Sequence, residues 1–129
     1  MNTKIFSSIL IVGVLIVGAF MLMNRGSVTP VANGNNVSVV DGKQIINLTA
    51  KGGYAPVKSI AKAGVPTILR VVTNGTYDCS SYVRIPSMNL GQSLSSSGAT
   101  DIDLGSPQVG ILHGTCGMGM YPFEIDFQT

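Results

Sequence analysis

Hydrophobic and polar positions divide the chain into two unlike parts. Residues 5–23, IFSSILIVGVLIVGAFMLM, carry no charge, with Lys4 before them and Asn24-Arg25 after them. As a helix this 19-residue run rises about 28 Å, close to the ~30 Å hydrocarbon core of a bilayer. A cleaved secretory signal has a shorter apolar region, about 7–15 residues, ending at a small-x-small site. Phe20-Met21-Leu22-Met23 offers no such site. The run predicts an uncleaved, single-pass anchor over residues 1–26 and a cell-membrane location. The amino terminus with Lys4 balances Arg25, so the positive-inside rule leaves the side of the membrane undecided.

Residues 27–36 are polar and broken by Gly and Pro, as in a linker. From Val37 to Thr129 the period changes to two. Val37-Ser38-Val39-Val40 and residues 44–50 (QIINLTA) read as the first strands. Residues 65–73 (VPTILRVVT) form a β-branched run that stops at the Asn74-Gly75 turn signal. Tyr82-Val83-Arg84-Ile85 and Asp101-Ile102-Asp103-Leu104 alternate, and residues 109–116 precede a last strand over 121–128. There Phe123, Ile125 and Phe127 share one face and Glu124 and Asp126 the other. About seven short strands and no long helical window predict an all-β domain, an antiparallel β-sandwich or Greek-key barrel, over residues 37–129.

Composition narrows the function. With 129 residues the chain has room for one small domain and its flanks. Lys43, Lys51, Lys58, Lys62, Arg70 and Arg84 balance Asp41, Asp78, Asp101, Asp103, Glu124 and Asp126 within the domain, so the net +2 of the chain belongs to the anchor region. A domain without a basic patch is not expected to bind nucleic acid. Two Cys and one His exclude a disulfide-dense scaffold, a Cys-rich zinc module and any site that needs two imidazoles.

The candidate chemistry lies in His113-Gly114-Thr115-Cys116-Gly117-Met118-Gly119-Met120. In an extended or looping segment, residues two apart share a side. Cys116, Met118 and Met120 then present a thiolate and two thioethers together, and the intervening glycines let the backbone curl around one ion. Soft sulfur donors select Cu(I) over harder cations, and thioether is a poor zinc ligand. Methionines here also suit simple core packing. Cys79 precedes the Val83-Arg84-Ile85-Pro86 strand, and in a Greek-key sandwich its loop can meet the last connection at one end. A Cys79–Cys116 disulfide is the competing role for the pair, worth about 4 kcal/mol by loop closure. It defines the alternative function, a metal-free structural or interaction β-sandwich. His113 is expected to be structural or to tune the site, and Met88 is a spare thioether or lid. A Cys nucleophile lacks a well-aimed base, no P-loop or G-x-S-x-G motif appears, and neither an enzyme nor a small-molecule substrate is expected.

Taken together, G-Y-x-P at Gly53–Pro56, K-A-G-V-P at Lys62–Pro66, a Cys before V-x-I-P at Val83–Pro86, and T-C-G-M-G-M at Thr115–Met120 resemble a cupredoxin-like family. Its members are the membrane-anchored Cu(I) chaperones of bacterial copper resistance, whose domain is also fused to some copper-exporting P-type ATPases. The resemblance covers residues 37–129. It departs at Tyr121-Pro122, where other members have a glycine-containing turn. It implies a cupredoxin-like Greek-key fold, one or two Cu(I) ions, a bis-thiolate position at Cys79/Cys116 and a thiolate–thioether position at Cys116/Met118/Met120. It also implies a copper-exporting ATPase or another copper acceptor as partner. Blue-copper and CuA-type centres need two His, so the lone His113 predicts a Cu(I) site without redox cycling.

Overall fold

The computed structural model describes residues 36–129. The anchor expected over 1–26 and, but for Asn36, the linker over 27–36 lie outside the described residues, among which no helix is long and apolar enough to cross a membrane. The domain is built from ten strands: β1 (Val37–Val40), β2 (Lys43–Ala50), β3 (Tyr54–Ala55), β4 (Lys58–Lys62), β5 (Thr67–Asn74), β6 (Tyr82–Ile85), β7 (Leu90–Ser93), β8 (Ser97–Gly105), β9 (Gly110–Cys116) and β10 (Pro122–Gln128). Two single 3₁₀ turns, Cys79–Ser81 and Pro86–Met88, flank β6.

The strands form two sheets, one ordered β1-β2-β5-β8 with β3 added to β2, the other β4-β10-β9-β6-β7. Period-two alternation sends Ile46, Leu48, Leu69 and Val71 inward from the first, and Val83, Ile85, Phe123, Ile125 and Phe127 from the second. These side chains, each at most 1% exposed, fill the space between the sheets. Asp41 and Gly42, both at positive φ, make the tight β1–β2 hairpin.

The all-β expectation holds, but the sheets are mixed where purely antiparallel pairing was expected. β2 pairs with β5, and β4 with β10, in parallel. After β2 the chain crosses to the other sheet through β3 and β4, then returns as β5. Alternation reports which face a residue occupies and carries no strand direction, so this crossover leaves no trace in the pattern. The short β3, β4 and β7, with few β-branched residues, were not anticipated either.

Gln44 ties the crossover together. Its buried amide donates to Lys62 O and Thr67 Oγ1, and its Oε1 accepts from Lys62 N at 2.8 Å. On β5 and β8, Arg70 and Asp101 face each other in a two-pronged pair at 2.7 and 2.9 Å.

Two predictions follow from packing and charge. A Cβ built on Gly114 of β9 would sit 2.1 Å from Phe123 Cζ, inside a filled core. Gly114→Ala should therefore cost about 3 kcal/mol by overpacking, measured as a fall in urea midpoint. Arg70 holds the Asp101 carboxyl below the usual carboxylate range, first by its hydrogen bonds and then by its charge. Such a depressed group stabilises the fold above its unfolded pKa of about 3.9, and that contribution is lost as pH falls through its lower folded value. Asp101→Asn should flatten this part of the acid limb of stability against pH, read by thermal unfolding between about pH 5 and pH 2.

Candidate metal centre

Three connections meet at the end of the sandwich where β2, β5 and β9 finish: residues 50–53, 75–81 and 117–121. Their positions follow from a polar clamp. Asp78 caps the Cys79–Ser81 turn, Oδ1 accepting from Ser80 N at 2.7 Å and from the Ser80 hydroxyl. Its other oxygen accepts from Gly52 N at 2.7 Å, which ties the first connection to the second. The Thr76 hydroxyl, buried with its residue, donates to Ala50 O between the same two segments. These donors, the Ser80 hydroxyl foremost, hold the Asp78 carboxyl below its ordinary range.

Tyrosines bracket the third connection. Tyr82 packs beside Gly117, where an added Cβ would lie 3.4 Å from its ring, and Tyr121 covers Gly53 at 3.5 Å. Beneath them the Tyr54 hydroxyl donates to Tyr82 O at 2.9 Å, and its ring meets Phe123 edge-to-face at 4.8 Å. Burial, then the Asp78 charge, pushes the Tyr54 phenol well above its usual range.

This frame brings Cys79 and Cys116 together, their Cα atoms 5.5 Å apart and their sulfurs joined as a disulfide. Cys116, the last residue of β9 and opposite Val83 of β6, is fully buried, whereas Cys79, the first residue of its turn, is partly exposed. The Met118 amide donates to Cys79 Sγ at 3.3 Å. The two cysteines therefore meet at one end of the sandwich, joined in the disulfide that was the competing role for the pair.

The sulfur-rich segment is not an extended strand. Gly119 N donates to Cys116 O at 3.0 Å and Cys116 N to Tyr121 O at 3.2 Å, so the chain reverses immediately after Cys116. Gly119 takes φ +74°, a conformation that favours glycine. Alternation thus stops at Cys116, and Met118 and Met120 ride on the turn. They are 79% and 61% exposed, which removes the core-packing role for both.

Two other expectations resolve by position. His113 points outward from β9, opposite Cys116 in the pleat, with Nδ1 4.0 Å from Glu124 Oε2 and its side chain 74% exposed. Met88 does not join the site. It ends the turn after β6, and β6 runs away from Cys116 toward the opposite end of the sandwich. Its spare-ligand role fails on that geometry. Among the described residues no three His, Cys, Asp or Glu side chains gather as a metal cluster. The side chains at this end that could offer sulfur to a metal are Cys79 and Cys116, after two-electron reduction of the disulfide, and the exposed Met118 and Met120.

Asp78 and the Tyr54/Tyr82/Tyr121 set were not singled out from the sequence. The first had a legible signal, since Asp two residues before Ser80 is a turn-capping pattern. The tyrosines are scattered through the chain, and only folding collects them.

No protein-family model and no curated relative matches the chain. Solved structures do. The metal-binding domain of the Cu(I)-exporting P-type ATPase CopA of Streptococcus pneumoniae D39, determined with Cu(I), superposes with a TM-score of 0.65 at 18% identity, over 72% of this chain and 93% of that one. A copper-binding protein solved by NMR in its apo form gives a TM-score of 0.67 at 22% identity, over 75% of this chain and 99% of that one. At these identities the likeness establishes a shared fold.

The disulfide closes a loop over a sequence separation of 37. Reduction should lower stability by about 4 kcal/mol on loop-closure grounds, read as a shift in urea midpoint with and without reductant. Asp78→Ala should raise hydrogen exchange at the Gly52 and Ser80 amides together; unchanged exchange at both would show that the carboxylate does not clamp the two connections.

Proposed function

We propose that the chain is a membrane-tethered, cupredoxin-like Cu(I)-binding protein that buffers copper or delivers it to a copper exporter, and that it binds rather than catalyses. The observation that carries this reading is the convergence of Cys79 and Cys116 beneath a turn that exposes Met118 and Met120. A thioether on a solvent-exposed turn between glycines adds little to packing, while sulfur donors of both kinds suit Cu(I). The shared fold with copper-binding domains, one of them from a Cu(I)-exporting ATPase, supports copper as the cargo and such an ATPase as acceptor.

In the reduced chain, the Cys79 and Cys116 thiolates hold one ion tightly, and Cys116 with Met118 and Met120 holds a second more weakly. Neutral thioethers attract Cu(I) less than thiolates do, so the exposed methionines exchange the ion first with an incoming sulfur ligand. A helix over residues 5–23 would keep the domain beside a membrane acceptor and raise its effective concentration there. The opposing reading, a structural domain with a permanent disulfide, draws on the bond between Cys79 and Cys116.

Competition of the reduced full chain against a chromophoric Cu(I) chelator decides between them. Wild type should withdraw one or two ions, and Cys79→Ser/Cys116→Ser none. Met118→Leu/Met120→Leu should lose the weaker ion, keep the tighter one and slow transfer to an acceptor. A reduced, folded wild type that withdraws no copper leaves the structural reading. Equal loss of both ions in the methionine variant would contradict two positions of unequal strength.

A further inference from the structure

The two sulfurs of the disulfide differ in their surroundings. Cys116 is fully buried, on the core side of β9 against β6. Cys79 is partly exposed at the start of a surface turn, between the exposed Tyr77 and the connection that carries Met118. We propose that Cys79 is the thiol-exchange site of this chain, the sulfur at which a small-molecule thiol forms a mixed disulfide and so opens the Cys79–Cys116 bond. The inference deepens the copper reading, and its meaning as a gate on copper loading rests on that reading.

The step balances with a thiol as the named reductant. A thiolate RS⁻ attacks Cys79 Sγ in line with the existing bond. A Cys79–S–SR bond forms, the Cys79–Cys116 bond breaks, and its electron pair leaves on Cys116, which takes up the proton that RSH gave. A second RS⁻ attacks the sulfur of the mixed disulfide that came from the first thiol. RSSR departs, Cys79 leaves as thiolate, and two thiols have supplied the two electrons that reduce the protein.

Access and leaving-group quality favour opposite sulfurs. Cys79 would leave more easily, because the Met118 amide already donates to its sulfur, while Cys116 must leave into a buried, apolar place that disfavours thiolate. Attack on Cys116 is nevertheless closed, since none of its surface meets solvent. Access therefore fixes the regiochemistry, and the poor leaving group makes opening slow. The mixed disulfide at Cys79 is short-lived in wild type, because the released Cys116 lies within reach to attack it again.

The test needs no metal. The oxidised full chain is treated with limiting glutathione, quenched in acid and mapped by peptide mass spectrometry. The adduct is expected on Cys79, with Cys116 free, in at least about tenfold excess over the reverse. In parallel, Cys116→Ser should trap a stable glutathione adduct at Cys79 when given oxidised glutathione, while folded Cys79→Ser leaves Cys116 unmodified. An adduct mainly on Cys116, an even split, or no adduct at Cys79 in folded Cys116→Ser would each overturn the proposal. Copper uptake is read separately on the fully reduced chain, and its absence would end the copper reading while leaving the exchange result intact.

Discussion

The end of β9 is where the architecture and the chemistry of this domain become one problem. Cys116 is held in the core by its pairing with Val83 of β6 and by the immediate chain reversal through Gly119 and Tyr121. That reversal puts Met118 and Met120 at the surface and brings the Met118 amide onto Cys79. Cys79 arrives from the other side on a turn that Asp78 caps and, through Gly52, ties to the end of β2. These two anchors, one on each cysteine's segment, bring the sulfurs to one place.

On the proposed reading, the same arrangement lets one pair of cysteines serve two states. Thiols placed close enough to bond are close enough to share an ion, and the surrounding contacts of Tyr54, Tyr82 and Tyr121 are made without either sulfur. On that reading, oxidation withdraws both thiolates from metal binding and leaves the two thioethers of the exposed turn. The donors left in that proposed state are the weaker ones, and copper affinity would fall with oxidation. His113 faces outward from β9, on the other side of the pleat from Cys116, with its side chain 74% exposed.

Much of this was legible in the residues, for identifiable reasons. Alternation in β2, β5 and β10 marks faces directly, so the core side chains and the all-β class could be read without knowing the topology. The clustering of Cys116, Met118 and Met120 within five positions made the sulfur chemistry visible. What stayed hidden depends on direction or on distant partners. The parallel β2–β5 and β4–β10 pairs differ from antiparallel ones in hydrogen bonding, not in pattern. Strand periodicity extended past Cys116 predicted a common face for the sulfurs, whereas a turn delivers the methionines. Met88 was attractive as chemistry and excluded by position alone.

The central claim is that the reduced chain offers copper sulfur and nothing else. X-ray absorption at the copper K edge, on the reduced full chain loaded with one equivalent of Cu(I), tests it most directly. The account predicts an edge typical of Cu(I) and a first shell fitted by sulfur alone, unchanged in His113→Ala. A first shell that requires nitrogen and loses it in His113→Ala would contradict it.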